Sequence, residues 1–226
     1  MQDPSGIRVA RAGSVDPSRE SALDDLVGAA AIAATLTFSP VLSRGYRRWG
    51  ATAAERAARY PGDAHVKQLR MEATRAISIA APPSAVWPWL VQIGHGRAGL
   101  YSYERLENLA GCQIENAWRI EPAWQALAPG DTVHLGPEGY PSYRVAEVAK
   151  DQHLVLVGGD DPSGPQFSWS FVLAPEVGGT RLVVRSRYGY PRTLGQQVIW
   201  RVITEPIHFV MERRMLLGIK QRAEAG

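Results

Sequence analysis

The chain has 226 residues, 45% of them hydrophobic and 21% charged, with 25 Lys and Arg set against 22 Asp and Glu. That length suits one domain with a sizeable core and an extension, and scattered basic residues without aromatic interleaving exclude a nucleic-acid platform. The single cysteine, Cys112, excludes an internal disulfide and a cysteine-rich zinc site, and it reads as a small buried residue.

Residues 1–22 mix Pro, Ser, Gly, Asp and Arg without periodicity and read as a disordered tail. An apolar helix follows over 23–48. Its stretch from Leu26 to Ser43 carries no charge and is followed at once by Arg44, Arg47 and Arg48. The length approaches the ~20 residues that cross a bilayer, but Ala and Thr dominate it and Pro40 interrupts it. Two readings are open. In one, 26–43 is a membrane anchor whose C-terminal arginines keep the domain cytoplasmic, tethered to the inner face of the plasma membrane. In the other it is a surface helix, packed on the domain or loosely associated with lipid. Residues 49–66 form a connector. A capping box of Thr52 and Glu55 starts a short helix there over Thr52–Arg59, and the turn Pro61-Gly62-Asp63 ends it.

The main domain is assigned to 67–226. Rough alternation predicts a first strand over Ala73–Ala80. Two short helices follow, Ser84–Ile93 and Tyr101–Leu109, joined by an elbow at Gly94, Gly96 and Gly99. Pro88 costs little because it falls in the first turn. Residues 113–129 read as a long connection with Trp118, Ile120 and Trp124 partly buried. Five short strands come next: Asp131–Leu135, Tyr143–Ala149, His153–Gly158, Phe167–Leu173 and Thr180–Tyr188, separated by Pro137-Glu138-Gly139, Lys150-Asp151-Gln152, Asp160–Pro165 and Glu176–Gly179. Connections this short make an antiparallel meander. A long helix over Leu194–Ala223 closes the chain, with Leu194, Val198, Val202, Phe209, Met215, Leu216 and Ile219 on one apolar face and a kink expected at Pro206.

The predicted class is therefore α+β. A curved antiparallel sheet must bury one face, and the last helix is the only element long enough to cover it. Such a helix leaves a volume against the sheet, and the two short helices would form a lid at one end.

This order resembles the helix-grip fold of the START/Bet v 1-like superfamily (SRPBCC), known also for polyketide cyclase and lipid-transport members, and a bacterial subgroup in particular. The residues that carry the likeness are Ala81-Pro82-Pro83-Ser84-Ala85-Val86-Trp87-Pro88-Trp89-Leu90-Val91-Gln92-Ile93-Gly94, Arg97-Ala98-Gly99-Leu100-Tyr101-Ser102-Tyr103, the connector Arg48-Trp49-Gly50-Ala51-Thr52, and the phrase from Glu205 to Arg222. It covers roughly Trp49 to Glu224. The resemblance implies a cavity for a small hydrophobic or amphipathic molecule. It does not choose between binder, transporter and cyclase.

Candidate site residues follow from the same layout. Trp87, Arg97, Tyr101 and Tyr103 sit at the lid; Trp169 and Phe171 share one strand parity and suit a cavity wall. Arg181, Arg185 and Arg187 alternate on the last strand. An inward Arg185 would need a carboxylate or a ligand anion, whereas an outward row would be ordinary solvated charge. His208 lies beside Pro206, with Glu212 one turn on. It would serve as a general base or as a donor to a ligand carbonyl; the competing reading is a cap for freed backbone carbonyls or a solvent-facing side chain. The five histidines, at 65, 95, 134, 153 and 208, lack metal-ligand spacing, and no nucleotide or nucleophile motif occurs, so no metal and no cofactor are expected. Three functions stand: a binder of a small hydrophobic molecule, a cyclase/dehydratase-type enzyme using His208 or a cavity Tyr, and a membrane-associated, non-catalytic partner protein.

Overall fold

The computed structural model describes residues 22–159, 164–189 and 193–226. The tail expected over 1–22 lies outside them, except that Ala22 already starts a helix, and so do 160–163 of the turn expected over Asp160–Pro165. Six strands form one sheet: β1 (Met71–Ile79), β2 (Thr132–His134), β3 (Ser142–Ala149), β4 (His153–Gly158), β5 (Phe167–Glu176) and β6 (Gly179–Tyr188). Their order across the sheet is β1-β6-β5-β4-β3-β2, every pair antiparallel. The short turns read from the sequence dictate this meander. Only β1 must travel, pairing with the last strand in register Arg75↔Val184 and Ile77↔Leu182. A register shift in β3 between Val145 and Glu147 marks an irregularity of the kind that bends a strand.

The helices are α1 (Ala22–Tyr46), α2 (Ala53–Ala57), α3 (Pro83–Val91), α4 (Glu104–Leu109), α5 (Leu194–Ile199) and α6 (Glu205–Ala225). α6 lies on the concave face of the sheet, which makes this a helix-grip architecture. Val210, Met215, Leu216, Ile219 and Ala223 of α6 are buried, and the last four join a core with Leu154, Leu156, Trp169, Phe171, Leu182 and Val184.

The closing helix departs from expectation in two ways. Its break is a single π turn over Trp200–Thr204, one turn ahead of Pro206. Proline lacks the N–H that would reach Val202 and its ring crowds that carbonyl, and the Glu205 N–H bonds instead to Trp200 O, one residue further back. The buried Glu205 carboxylate then takes a two-point ion pair from Arg47. The apolar face, moreover, is buried only after the break: Leu194 is 81% exposed and Val198 61%.

α1 is 25 residues long, yet among the described residues no helix is long and apolar enough to cross a membrane. The spanning reading of 26–43 is thereby corrected; its Ala and Thr are too weakly apolar. α1 runs antiparallel to α6 instead. Tyr46 stacks on Phe209 at 5.4 Å near one end, and at the other Gly28 packs against the Tyr103 ring, over which the Arg214 guanidinium also lies.

The connector is also more than a lead-in. Its capping box is present, with Glu55 N donating to Thr52 Oγ1 and Thr52 N to the Glu55 carboxylate. Arg47 and Trp49 accept hydrogen bonds from the edge amides of β1, Thr74 N at 2.8 Å and Ala76 N at 3.1 Å. Gly50 has φ +70°, and a side chain there would collide with the Ala76 carbonyl, so the close approach requires glycine. From there the chain crosses the convex face, where Pro61 O accepts from Ser170 Oγ at 2.7 Å.

The glycine elbow closes on itself through paired hydrogen bonds between Gly94 and Gly99. α4 starts at Glu104 rather than at Tyr101, because Tyr101 adopts φ 56°. That left-handed conformation is held by Asn116 Oδ1, which accepts from Tyr101 N at 2.7 Å. In the following connection Trp118 and Trp124 are half-buried as expected, while Ile120 is exposed.

Candidate functional site

Between α6 and the sheet lies a cavity of about 470 Å³. One stripe of the closing helix supplies its inner wall: Thr204, Ile207, His208, Met211, Glu212 and Met215, spaced to repeat on a single helical face. Trp169 contributes from β5. Leu135, Tyr140, Pro141 and Tyr143 come from the β2–β3 end, and Leu106, Glu107 and Ala110 come from α4, so α4 does wall the cavity. Ile32 of α1, Ile203 of the π turn, and Leu100, Ser102 and Cys112 on either side of α4 complete it.

The polar end is organised by a buried ion pair. Arg75 points from β1 to the concave side, donates from Nε to Tyr46 O at 2.9 Å, and pairs through Nη1 with Glu212. Both side chains are 1% exposed. Glu212 also accepts from Trp169 Nε1 at 2.7 Å and from Ser186 Oγ at 3.3 Å. Burial alone would raise its carboxyl, but the Arg75 charge and these hydrogen bonds hold it below the usual carboxylate range. A buried carboxylate is tolerated only with this kind of full pairing.

His208 stands one turn before Glu212. The carboxylate expected to orient it turns to Arg75, Trp169 and Ser186, and the contact His208 makes is with Tyr188 Oη, 3.4 Å from Nδ1. Rings surround it, with Trp169 at 5.9 Å and Tyr188 at 6.2 Å between centroids. Burial drives the imidazole down to about 4 despite the upward pull of Glu212. At neutral pH it is therefore an uncharged hydrogen-bonding group. Burial likewise raises the Tyr188 hydroxyl well above its ordinary value.

Of the residues singled out from sequence, Trp169 and His208 line this cavity. Phe171 packs directly behind Trp169, at 4.8 Å between rings, and is fully buried. The others lie elsewhere. Trp87 borders a separate, more polar cleft of about 420 Å³ next to Gln125 and Lys150. Arg97 donates to the carbonyls of Val91 and Trp124 and so ties the elbow to the long connection. Tyr101 is buried, its hydroxyl donating to Trp89 O at 3.1 Å and accepting from Gln92 Nε2 at 2.9 Å. Tyr103 is packed under α1.

Arg185 fits neither of its alternatives. It is on the convex face, away from the cavity, yet only 3% exposed because the connector covers it. It donates to the carbonyls of Glu55, Arg56 and Ala58, to Asp63 Oδ2 at 3.0 Å and to Thr74 Oγ1, and its guanidinium lies 4.6 Å from the centre of the Tyr60 ring. The outward row is thus paired rather than solvated, with Arg181 on Glu55 and Arg187 on Glu72.

The inward arginine is Arg75, which the sequence reading passed over. The signal was present: a charged residue in the middle of a strand whose neighbours two positions away, Ala73 and Ile77, are apolar. Cys112 lies at the cavity wall, half-buried, its thiol raised by burial and by Glu107. Among the described residues no group of three His, Cys, Asp or Glu is placed to hold a metal ion.

No family profile and no curated protein matches the chain. Solved structures do resemble it. A protein of Nitrosomonas europaea is 17% identical with a TM-score of 0.42, covering 74% of this chain and 99% of its own. The Aha1 dimer from Colwellia psychrerythraea is 17% identical with a TM-score of 0.41, covering 70% and 98%. The KanY protein is 12% identical with a TM-score of 0.41, covering 69% and 98%. With scores this low, the fold assignment rests on the chain's own strand order and closing helix.

Proposed function

We propose that the chain binds a small hydrophobic or amphipathic molecule in the cavity between the sheet and α6, as a divergent member of the START/Bet v 1-like superfamily. The observation that carries this is the cavity itself. Its volume of about 470 Å³ falls in the range of small-molecule sites, and its wall is mostly apolar with a few polar groups.

A cyclase/dehydratase would need a proton carrier near neutrality. His208, with its pKa at about 4, suits a neutral hydrogen-bond partner for a ligand better than a general base working at pH 7. Binding without turnover is therefore the reading we favour.

The test is titration of the full chain with the neutral fluorescent probe N-phenyl-1-naphthylamine, beside the variant Ile207→Trp, which puts a larger side chain into the cavity. Saturable binding that weakens at least tenfold in the variant, with its thermal unfolding unchanged, is the expected result. A probe that fails to bind, or that binds both proteins equally, overturns the proposal.

A further inference from the structure

α1 packs one side on the domain, where Thr35 and Tyr46 are buried. On the opposite stripe Leu23, Leu26, Val27, Ala30, Ala34 and Phe38 recur at helical spacing and are all exposed, Leu26 at 66% and Phe38 at 57%. Thr37, on the same stripe, turns its hydroxyl back to Ala33 O at 2.8 Å. The outward face of a surface helix is ordinarily polar, and contiguous exposed apolar surface marks an interaction site. A second apolar segment adjoins this one, because the π turn packs against α1 and Tyr46 Oη reaches Arg201 O at 3.5 Å. Val202 and Ile203 are exposed there, as are Val198 and Ile199 just before them.

The charge around these two segments is of one sign. From Leu26 to Arg48 and from Thr193 to Thr204 the sequence holds no Asp or Glu, and its charged residues are Arg44, Arg47, Arg48 and Arg201. Arg47 is paired with the buried Glu205. Arg44 and Arg48 are exposed, and Arg44 continues the stripe that begins at Leu23 and Leu26. At the far end of α1, Asp24 and Asp25 are half-buried, and Asp25 pairs with Arg105 of α4.

We infer that this surface docks on an anionic lipid bilayer, with α1 lying flat in the interface and Arg44 and Arg48 among the headgroups. α1 is not apolar enough to cross a membrane, but an interfacial helix needs only one apolar face, and basic residues at its border add attraction to anionic lipid. The middle of the stripe is alanine, so it offers a protein partner few of the large anchor side chains on which protein interfaces depend. A fluid bilayer has no pockets to fill and needs none. The inference does not depend on the binding role proposed above.

The experiment is flotation of the full chain with vesicles of phosphatidylcholine, alone or mixed equally with phosphatidylglycerol, at low salt. The chain is expected to float with the mixed vesicles and to bind the phosphatidylcholine vesicles at least tenfold less, and salt at about 0.5 M should release most of it by screening. Leu26→Ser with Phe38→Ser changes two exposed positions and should weaken binding at least fivefold with thermal unfolding unchanged. Arg44→Gln with Arg48→Gln should weaken it several-fold. A full chain that stays behind when the mixed vesicles float, that floats equally with both kinds, or whose two variants float as well as the parent overturns the inference. So does a chain that ignores the vesicles and sediments as a dimer split by the serine substitutions, which would assign the stripe to a second copy.

Discussion

Arg75 and Arg185 sit on opposite faces of one sheet, each almost completely buried, and they are kept there by different means. Arg75 meets a single carboxylate, Glu212, in the interior beside the cavity. Arg185 meets mostly backbone. Its guanidinium closes the C-terminal end of α2 by donating to the carbonyls of Glu55, Arg56 and Ala58, with Asp63 as the nearest charge. A short helix leaves those carbonyls without internal partners, and a cation there satisfies them. The concave face thus buries a charge in exchange for a counter-charge. The convex face buries one to fasten a strap.

Removing partners on each side should separate the two cases. The largest effect is expected for Glu212→Ala, which strands Arg75 and should cost about 3–5 kcal/mol in urea unfolding. Replacing both members, Arg75→Met with Glu212→Leu, should recover most of that loss, because no lone charge remains. A double variant as unstable as the single one would show that the Trp169 and Ser186 hydrogen bonds, rather than the ion pair, carry the stability. On the convex face Arg185→Met should cost about 2–3 kcal/mol, through several hydrogen bonds lost at once, and proteolysis should then cut first within 52–65. Cleavage elsewhere would mean that the strap is held by other contacts.

A smaller, pH-dependent effect belongs to the concave side. His208 has its pKa lowered to about 4 from 6.5. Between those values the unfolded chain binds a proton that the folded chain refuses, so this contribution is complete above pH 6.5 and is lost as pH falls toward 4. From pH 7 to pH 5 the loss is about 2 kcal/mol. Stability measured at both pH values in the parent and in His208→Gln checks it: the variant should lose about that much less, and equal losses would place the acid sensitivity elsewhere.

The sequence made the architecture legible because local signals agreed with the global one. Turn residues between short alternating runs demanded a meander, and β4 falls on His153–Gly158 as read. The capping box at Thr52 and Glu55 was likewise a purely local pattern. The site was less legible, since a cavity depends on which side chains converge from distant elements. Parity put Trp169 on the wall, but it could not say that Arg185 would be roofed by a segment more than a hundred residues earlier. The same limit hid Arg75, whose partner stands on a helix 137 positions away. Periodicity also made one apolar face of the whole closing helix, whereas on α5 Leu194 and Val198 stay exposed.

The contact of Arg47 and Trp49 with β1 carries a consequence for how this protein can be shortened. A sheet ends in unsatisfied amides, and an exposed row of them is a template on which another molecule can add a strand. Here Thr74 and Ala76 have theirs occupied from within the chain. Trimming away everything before Glu55 would therefore bare a sticky border as well as delete a surface helix, and self-association of the trimmed protein would report that border.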